Sequence, residues 1–151
     1  MAERLRIGMI GCGEIAVQTA KGIAGAGNAE HVMVMDVDQR VASDMAETYG
    51  VTSTTKVEEL LANPSIDAVY IAVPHYLHAP LTIQALRAGK HVLVEKPIAT
   101  TIQDADAMIE TLRGNAEPWE RFEPITLAEA RRHLEPGFAG ADEEPLFDRD
   151  S

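Results

Sequence analysis

A glycine-rich turn between an apolar run and a run of small residues constrains the fold of this chain more than any other feature of its sequence. The segment GMIGCGEIA occupies residues 8–16, follows the apolar run RLRIGMI and leads into VQTAKGIAGAG. The apolar run over 4–10 predicts a buried strand, and residues 14–27 predict a helix that ends in glycine. A strand that passes directly into a helix through glycines is typical of the first unit of a parallel α/β sheet.

Short apolar runs continue to alternate with amphipathic runs up to residue 114. The pattern predicts strands over 4–10, 31–38, 51–54, 67–74 and 91–97, and helices over 14–27, 39–50, 56–63, 77–90 and 100–114. Such alternation gives a parallel sheet with helices on both faces, and right-handed crossovers leave few topologies. We therefore predict an α/β fold, a doubly wound, Rossmann-like parallel sheet with strand order 3-2-1-4-5.

Glycines and a polar pair mark the ends of the predicted helices. Gly50 stops the second helix, Gly89 lies just past the fourth, and Gly114 closes the fifth. Thr55 and Glu58 have the spacing of a capping box at the start of the third helix. These residues predict helix boundaries independently of the hydrophobic pattern.

Length and composition narrow the class of protein. The chain has 151 residues, of which 46% are hydrophobic and 25% charged, and this is typical of one globular domain. We expect no membrane span, since no window approaches ~18 consecutive apolar residues, and no signal peptide. A single cysteine excludes an internal disulfide and favours a cytoplasmic location. The net charge of −11 argues against nucleic-acid binding, because phosphates need a basic face.

The glycine-rich turn has the residue pattern of a dinucleotide-binding site. Gly11, Gly13 and Ala16 match G-x-G-x-x-G/A. Gly11 would permit a tight turn, Gly13 would let the backbone approach a pyrophosphate, and Ala16 would let the helix pack against the strand. The helix N-terminus favours an anion at this place. Glycine-rich turns also occur in S-adenosylmethionine enzymes and as purely structural turns.

An acid after the second predicted strand bears on the choice of cofactor. Asp36 follows Ala16 by 20 residues, where a carboxylate can accept a hydrogen bond from a ribose 2′-hydroxyl and repel a 2′-phosphate. This favours NAD, whereas Arg40 could pair with the phosphate of NADP. Asp36 could instead cap the next helix, a role for which Asp38 is better placed. Cys12 occupies a variable position of the motif. We interpret it as a small filler residue in preference to a reactive thiol.

A second motif lies at the end of the fifth predicted strand. The segment VEKP, residues 94–97, is placed at the carboxyl end of the sheet, where ligands bind in open α/β folds. The segment AVPHYLHAP ends the neighbouring fourth strand. Together with IGMIGCGEIA and MDVD, these segments resemble the Gfo/Idh/MocA family of nicotinamide-dependent oxidoreductases. The resemblance covers residues 4–114.

This resemblance implies roles for individual residues. Lys96 would be catalytic, near the nicotinamide and the reacting carbinol of a sugar, inositol or other polyol. Pro74 and His78 match the family's P-x-x-x-H turn, and Pro97 would follow a cis peptide bond. The glycine turn and the resemblance together predict these cofactor-binding residues: Gly11, Gly13, Glu14, Ile15, Ala16, Asp36, Pro74, His78, Glu95, Lys96 and Pro97. No histidine–carboxylate spacing indicates a metal site.

Three segments are predicted along the chain. They are a dinucleotide-binding Rossmann domain over 1–114, a remnant of a connector helix region over 115–140, and an acidic flexible tail over 141–151. The segments RFEP and ITLAEARRHLEPGFAG resemble the connector and helix that come after the sheet in the family, but NAEPWE is too short and polar for the family's sixth strand. We therefore expect that strand six is lost and that the substrate domain is absent.

The favoured function is that of an NAD(P)-binding domain of a sugar- or polyol-directed oxidoreductase that is not competent without a substrate domain. The alternatives are a non-catalytic dinucleotide sensor or regulatory module, and a remnant that no longer binds. Lys96 and His78 favour an enzyme, because a sensor needs the glycine turn but not the chemistry. A sheet edge without its sixth strand predicts a homodimer or a separate chain that carries the substrate domain.

Overall fold

The structure is a computed structural model that describes residues 4–115. Within this range the sheet contains five strands: β1 (Leu5–Ile10), β2 (Ala29–Met35), β3 (Thr52–Thr54), β4 (Ala68–Ile71) and β5 (His91–Val94). The described helices are α1 (Glu14–Gly25), α2 (Gln39–Tyr49), α3 (Val57–Leu61), α4 (His78–Arg87) and α5 (Ile102–Asn115), and a short 3₁₀ turn over His75–Leu77 precedes α4. None of these helices is both long enough and apolar enough to cross a membrane.

All strand pairs in the described sheet are parallel, and the order is β3-β2-β1-β4-β5. This confirms the predicted α/β class and topology. Strands β1 and β4 are neighbours although other strands and helices separate them in the chain. The chain segments that come after them therefore diverge at this point, and they leave a crevice at the edge where the strands end, called here the carboxyl edge.

Two hydrophobic clusters cover the two faces of the sheet. Adjacent residues Met9 and Ile10 on β1 have no exposed surface and belong to different clusters, as the alternation of side chains along a strand requires. Ala16 and Ala20 of α1 join the cluster of Met9, and their small side chains let the helix lie close to the sheet. Burial on both faces explains why the strands are apolar throughout.

The strands end earlier than their apolar patterns predict. Strand β2 ends at Met35 rather than at residue 38, and β5 ends at Val94 rather than at 97. After β2, the N–H of Asp38 donates to a carboxylate oxygen of Asp36, so the backbone turns instead of continuing the ladder. Asp36 and the residues Glu95–Lys96–Pro97 therefore lie in turns at the carboxyl edge and not within strands.

The capping box predicted for Thr55 and Glu58 is wrong, because the N-cap of α3 is Lys56 and no side chain caps the helix there. The N–H of Lys56 donates to Oγ1 of Thr54 at 3.1 Å, and that hydroxyl donates to Glu59 at 2.5 Å. Thr54, at the end of β3, therefore fixes the turn that leads into α3 and does not cap the helix. The fifth helix also does not close at residue 114, because α5 extends to residue 115.

The opposite edge of the sheet, where the strands begin, is fixed by charged side chains. The guanidinium of Arg6 on β1 bonds both carboxylate oxygens of Asp67, at 2.9 and 2.6 Å, and the N–H of Arg6 donates to the same carboxylate. These bonds lower the pKa of Asp67 from 3.8 to about 2. The pair joins β1 to the start of β4.

The predicted connector over 115–140 and the predicted tail over 141–151 lie outside the described residues, apart from residue 115. The division of the chain into these segments stays a prediction.

Candidate functional site

The tight turn after β1 requires glycine at position 11 for reasons internal to the chain. Gly11 has φ of +94°, a conformation that side chains disfavour. A Cβ on Gly11 would lie 2.1 Å from the carbonyl oxygen of Ala72. The N–H of Gly11 donates to the carbonyl of Met35 at 2.8 Å, so the turn is also fixed to β2.

Gly13 has no comparable reason to be glycine. Its φ of −71° and ψ of −174° are open to any residue. A Cβ at this position would meet no described atom within 4 Å. The packing of the described residues therefore leaves room for a side chain at position 13, on the exposed side of the turn.

Helix α1 begins directly after Gly13 and presents free backbone donors. The N–H groups of Glu14, Ile15 and Ala16 have no acceptor among the described residues, as is usual in the first turn of a helix. Glu14 and Ile15 are exposed, and Ile15 is 62% accessible although its side chain is apolar. Ala16 faces inward and is fully buried. This part of the site therefore combines free N–H donors with an accessible apolar side chain.

Asp36 joins the glycine turn to the end of β2. One of its carboxylate oxygens accepts the N–H of Cys12 at 2.9 Å, and the other accepts the N–H of Asp38 at 2.9 Å. Asp38 caps α2 through the N–H groups of Arg40 and Val41, so the choice of Asp38 over Asp36 as the cap is confirmed. Each oxygen of Asp36 keeps a further lone pair for an external hydroxyl group.

Cys12 is not a reactive thiol. Its side chain is buried and its Sγ donates to the carbonyl of Met35 at 3.4 Å. Burial, followed by the negative charge of Asp36, raises the pKa of the thiol to about 12. The thiol is therefore protonated at neutral pH, in agreement with the interpretation of Cys12 as a filler residue.

His78 lies beneath the turns that come after β4 and β5. The side chain is fully buried, with Nε2 2.9 Å from the carbonyl oxygen of Val73 and Nδ1 2.7 Å from that of Pro97. Each ring nitrogen thus lies within hydrogen-bond distance of a carbonyl oxygen that can accept from an N–H, and the fully buried ring is enclosed by the chain. Pro74, at the start of the same segment, is exposed.

The motif Glu95–Lys96–Pro97, called here the Lys96 turn, follows β5 at the carboxyl edge. The Lys96–Pro97 peptide bond is cis, as the family resemblance implies. Oε1 of Glu95 accepts a hydrogen bond of 2.5 Å from the hydroxyl of Tyr70, which accepts one of 3.0 Å from Thr19. The side chain of Lys96 is exposed and has no hydrogen bond or ion pair with any described residue.

The hydrogen bond from Tyr70 influences the ionisation of both partners. It is the first cause that lowers the pKa of Glu95, while partial burial opposes it. Burial and then the same bond raise the pKa of Tyr70. Glu95 is therefore a carboxylate, and Tyr70 a neutral hydroxyl, over the physiological pH range.

The structure brings the predicted residues together at one edge of the sheet. The glycine turn, Asp36, the segment from Pro74 to His78 and the Lys96 turn follow β1, β2, β4 and β5 respectively. Sequence reasoning missed Tyr70 and Thr19. A tyrosine inside the buried strand AVYI is the available signal, because a buried hydroxyl usually has a partner. Among residues 4–115, no group of three or more histidines, cysteines or acids is arranged to hold a metal ion.

Comparison with known proteins identifies the family. Residues 5–118 match the model of the oxidoreductase family with an NAD-binding Rossmann fold, GFO_IDH_MocA. The chain belongs to this family. The described sheet and its glycine turn are the NAD-binding Rossmann domain of Gfo/Idh/MocA proteins, which confirms the resemblance and the cofactor class predicted from the sequence.

Named relatives of this Gfo/Idh/MocA chain include reductases and dehydrogenases. It is 40% identical over 109 residues to 1,5-anhydro-D-fructose reductase of Ensifer adhaerens, covering 72% of this chain and 33% of the relative. The 3-ketoreductase KijD10 from Actinomadura kijaniata, solved with NADP and TDP-benzene, is 32% identical with a TM-score of 0.72 over 75% of this chain. The WlbA dehydrogenase from Bordetella pertussis, solved with NADH and UDP-GlcNAcA, is 29% identical with a TM-score of 0.73 over 76% of this chain. In both structural comparisons the match covers 35% of the other chain, so this chain spans about a third of the relatives' length.

Proposed function

We propose that this chain supplies the cofactor-binding part of an oxidoreductase that transfers hydride between a nicotinamide cofactor and a sugar or polyol. The observation that carries the proposal is the position of Gly13 directly before the free N–H groups of α1, where the described residues leave space beside the backbone. A pyrophosphate that approaches this backbone would account for the missing Cβ. The sugar-directed relatives support the class of substrate.

The residues of the glycine turn would hold the pyrophosphate. The free N–H groups at the start of α1 would donate to an anion at Gly13, and the helix dipole favours its charge. Gly11 sets the turn and Ala16 lets the helix approach the sheet. The exposed side chain of Ile15 would cover an apolar part of the cofactor.

Asp36 would decide between the two nicotinamide cofactors. Its carboxylate lies beside the glycine turn and can accept a hydrogen bond from a ribose 2′-hydroxyl. A 2′-phosphate at the same place would meet a negative charge. We therefore propose a preference for NAD, with NADP the alternative if Arg40 pairs with the phosphate.

Lys96 would be the catalytic residue. The bound nicotinamide supplies hydride transfer, and the protein supplies orientation and charge. The exposed ammonium of Lys96 is free to donate a hydrogen bond to a substrate oxygen or to exchange a proton with it. Pro74, Glu95 and Pro97 would frame this end of the site, and His78 would support it from beneath. Lys96 favours an enzyme over a dinucleotide sensor, since pyrophosphate binding does not use it.

Exposed apolar residues around β5 support a partner for this domain. Within the described sheet β5 is one of the two edge strands, and Leu93 on it is 63% exposed. Ile98 and Ile102, which come after it, are also exposed. We propose that a second copy, or a chain that carries a substrate domain, covers this surface.

The single, free cysteine supports a cytoplasmic location.

Calorimetric titration of Gly13→Ala with NAD tests the proposed function. An added methyl group where the pyrophosphate meets the backbone is expected to weaken NAD binding by at least about tenfold, while the fold is kept. The control is Gly22→Ala, which adds the same methyl group to α1 where a Cβ also meets no described atom. A folded wild-type chain that binds neither NAD nor NADP would overturn the proposal, as would equal affinity in Gly13→Ala and the wild type.

A further inference from the structure

The Lys96 turn is held at both of its ends by residues from other elements. On one side the buried ring of His78 reaches the carbonyl oxygen of Pro97 at 2.7 Å. On the other side the hydroxyl of Tyr70 donates to Glu95 at 2.5 Å. Lys96 lies between these two contacts, and its own side chain has none among the described residues.

Tyr70 is well placed to fix the Glu95 side of this turn. It lies on β4, next to β5 in the sheet, and only 3% of its surface is exposed. Thr19 of α1 donates to the Tyr70 oxygen at 3.0 Å, which leaves the Tyr70 proton for Glu95. A chain of two hydrogen bonds thus runs from the helix of the glycine turn to the Lys96 turn.

Glu95 passes this restraint to the backbone of Lys96. While Oε1 of Glu95 accepts the Tyr70 bond, Oε2 accepts the N–H of Lys96 at 3.3 Å. A carboxylate that is fixed at one oxygen therefore limits the positions of the next peptide group. The lowered pKa of Glu95 is consistent with this, because the acceptor stays ionised.

We propose that Tyr70, with its hydroxyl oriented by Thr19, is a positioning residue that holds Lys96 in place through Glu95. Tyr70 does not itself reach the open side of the site. Its effect on a ligand rests on the proposed function, in which Lys96 serves the nicotinamide end of the cofactor. The nicotinamide end should therefore depend on the Tyr70 hydroxyl, and the adenosine end should not.

The test compares Tyr70→Phe with the wild-type chain in binding NADH and ADP-ribose, which lacks the nicotinamide. Phenylalanine keeps the packing of the ring and removes only the hydroxyl. We expect NADH to bind about fivefold more weakly and ADP-ribose to bind as before, since one hydrogen bond makes a modest net contribution. Tyr49→Phe, which removes a hydroxyl at the end of α2, is the control and should change neither affinity. Thr19→Val should weaken NADH binding in the same way as Tyr70→Phe, with a smaller effect. Thr19→Ser keeps the hydroxyl and should bind NADH as the wild type does.

A second readout needs no ligand. In NMR titrations of the free chain, Tyr70→Phe should raise the pKa of Glu95 toward its usual 4.5 and shift the amide signal of Lys96. Unchanged Glu95 and Lys96 signals, or equal loss of NADH and ADP-ribose affinity, would overturn the role of Tyr70. If the wild type binds neither ligand, the proposed function fails, and the NMR signals still decide whether Tyr70 positions Lys96.

Discussion

Individual residues of the glycine turn differ in whether the fold or a ligand requires them. Gly11 and Gly13 belong to one sequence pattern, yet a Cβ on Gly11 would collide with the carbonyl of Ala72 and a Cβ on Gly13 would meet no described atom. The first glycine is therefore required by the fold and the second is available to a ligand. In the proposed function Asp36 serves both the fold and the ligand, because it accepts the N–H of Cys12 and keeps lone pairs for a ribose. A substitution in this turn reports on binding only where the fold does not need the residue.

Cofactor preference is expected to depend on the charge of Asp36. In Asp36→Asn an oxygen remains to accept a hydrogen bond, but the charge that repels a 2′-phosphate is gone. We expect the ratio of the Kd for NADP to the Kd for NAD to fall by about tenfold, or about 1.4 kcal/mol. Calorimetric titration with both cofactors gives this ratio.

The control for this prediction is Asp38→Asn, which removes the same charge two residues further along. Asparagine caps helices about as well as aspartate, so α2 should be unaffected. An unchanged ratio in Asp36→Asn, or an equal change in Asp38→Asn, would contradict a specific role for Asp36. Thermal unfolding of each variant separates lost affinity from lost stability, because Asp36 also bonds two backbone N–H groups.

At the scale of helices and strands, local patterns predict which elements form, and distant contacts decide where they end. The strand order follows from the alternation of elements and the handedness of crossovers, so it was predictable from the sequence. The start of α3 was not, because Thr55 with Glu58 has the spacing of a capping box but the helix begins after Lys56 without a side-chain cap. Thr54 instead bonds the N–H of Lys56 and the carboxylate of Glu59, contacts that the spacing of residues does not reveal. Tyr70 was missed for a similar reason, since its partner Glu95 is 25 residues away.

The link between β1 and β4 is expected to make stability depend on acid pH. Bonds from Arg6 lower the pKa of Asp67 from 3.8 to about 2 in the folded chain. Because the folded state binds this proton less readily than the unfolded state, the pair stabilises the fold above about pH 4. That stability is lost as the pH falls through about 2, once Asp67 is protonated in both states.

Urea unfolding at several pH values between about 5 and about 2 measures this effect. In Asp67→Asn the free energy of unfolding should be lower at the upper end of this range and should fall less steeply toward the lower end than in the wild type. Asp106→Asn removes an exposed carboxylate from α5 and should leave the slope unchanged. Parallel curves for Asp67→Asn and the wild type would show that the Arg6 pair does not contribute.

At the scale of the whole molecule, the described domain carries the predicted cofactor-binding turns at one edge and exposes apolar residues beside β5. The carboxyl edge unites the turns after β1, β2, β4 and β5, whereas the surface at β5 exposes Leu93, Ile98 and Ile102. The chain spans about a third of the length of its relatives, so the substrate-facing part of a complete enzyme is not accounted for by the matched residues. A second copy or a different chain against β5 would cover the apolar surface and could supply a wall over the cofactor.

Light scattering of the purified chain tests whether a second copy covers this surface. We expect an assembly larger than one chain at micromolar concentration, because exposed apolar groups on an outer strand favour association. Leu93→Lys places a charge on this surface and should shift the chain toward the monomer, without loss of NAD binding at the glycine turn. Val37→Lys is the matched control, since Val37 is 85% exposed and lies after β2, away from β5. A wild-type chain that is monomeric at every concentration would contradict the homodimer and leave a different chain as the proposed partner. In a search for that partner, Leu93→Lys would be the control variant whose β5 surface should not bind it.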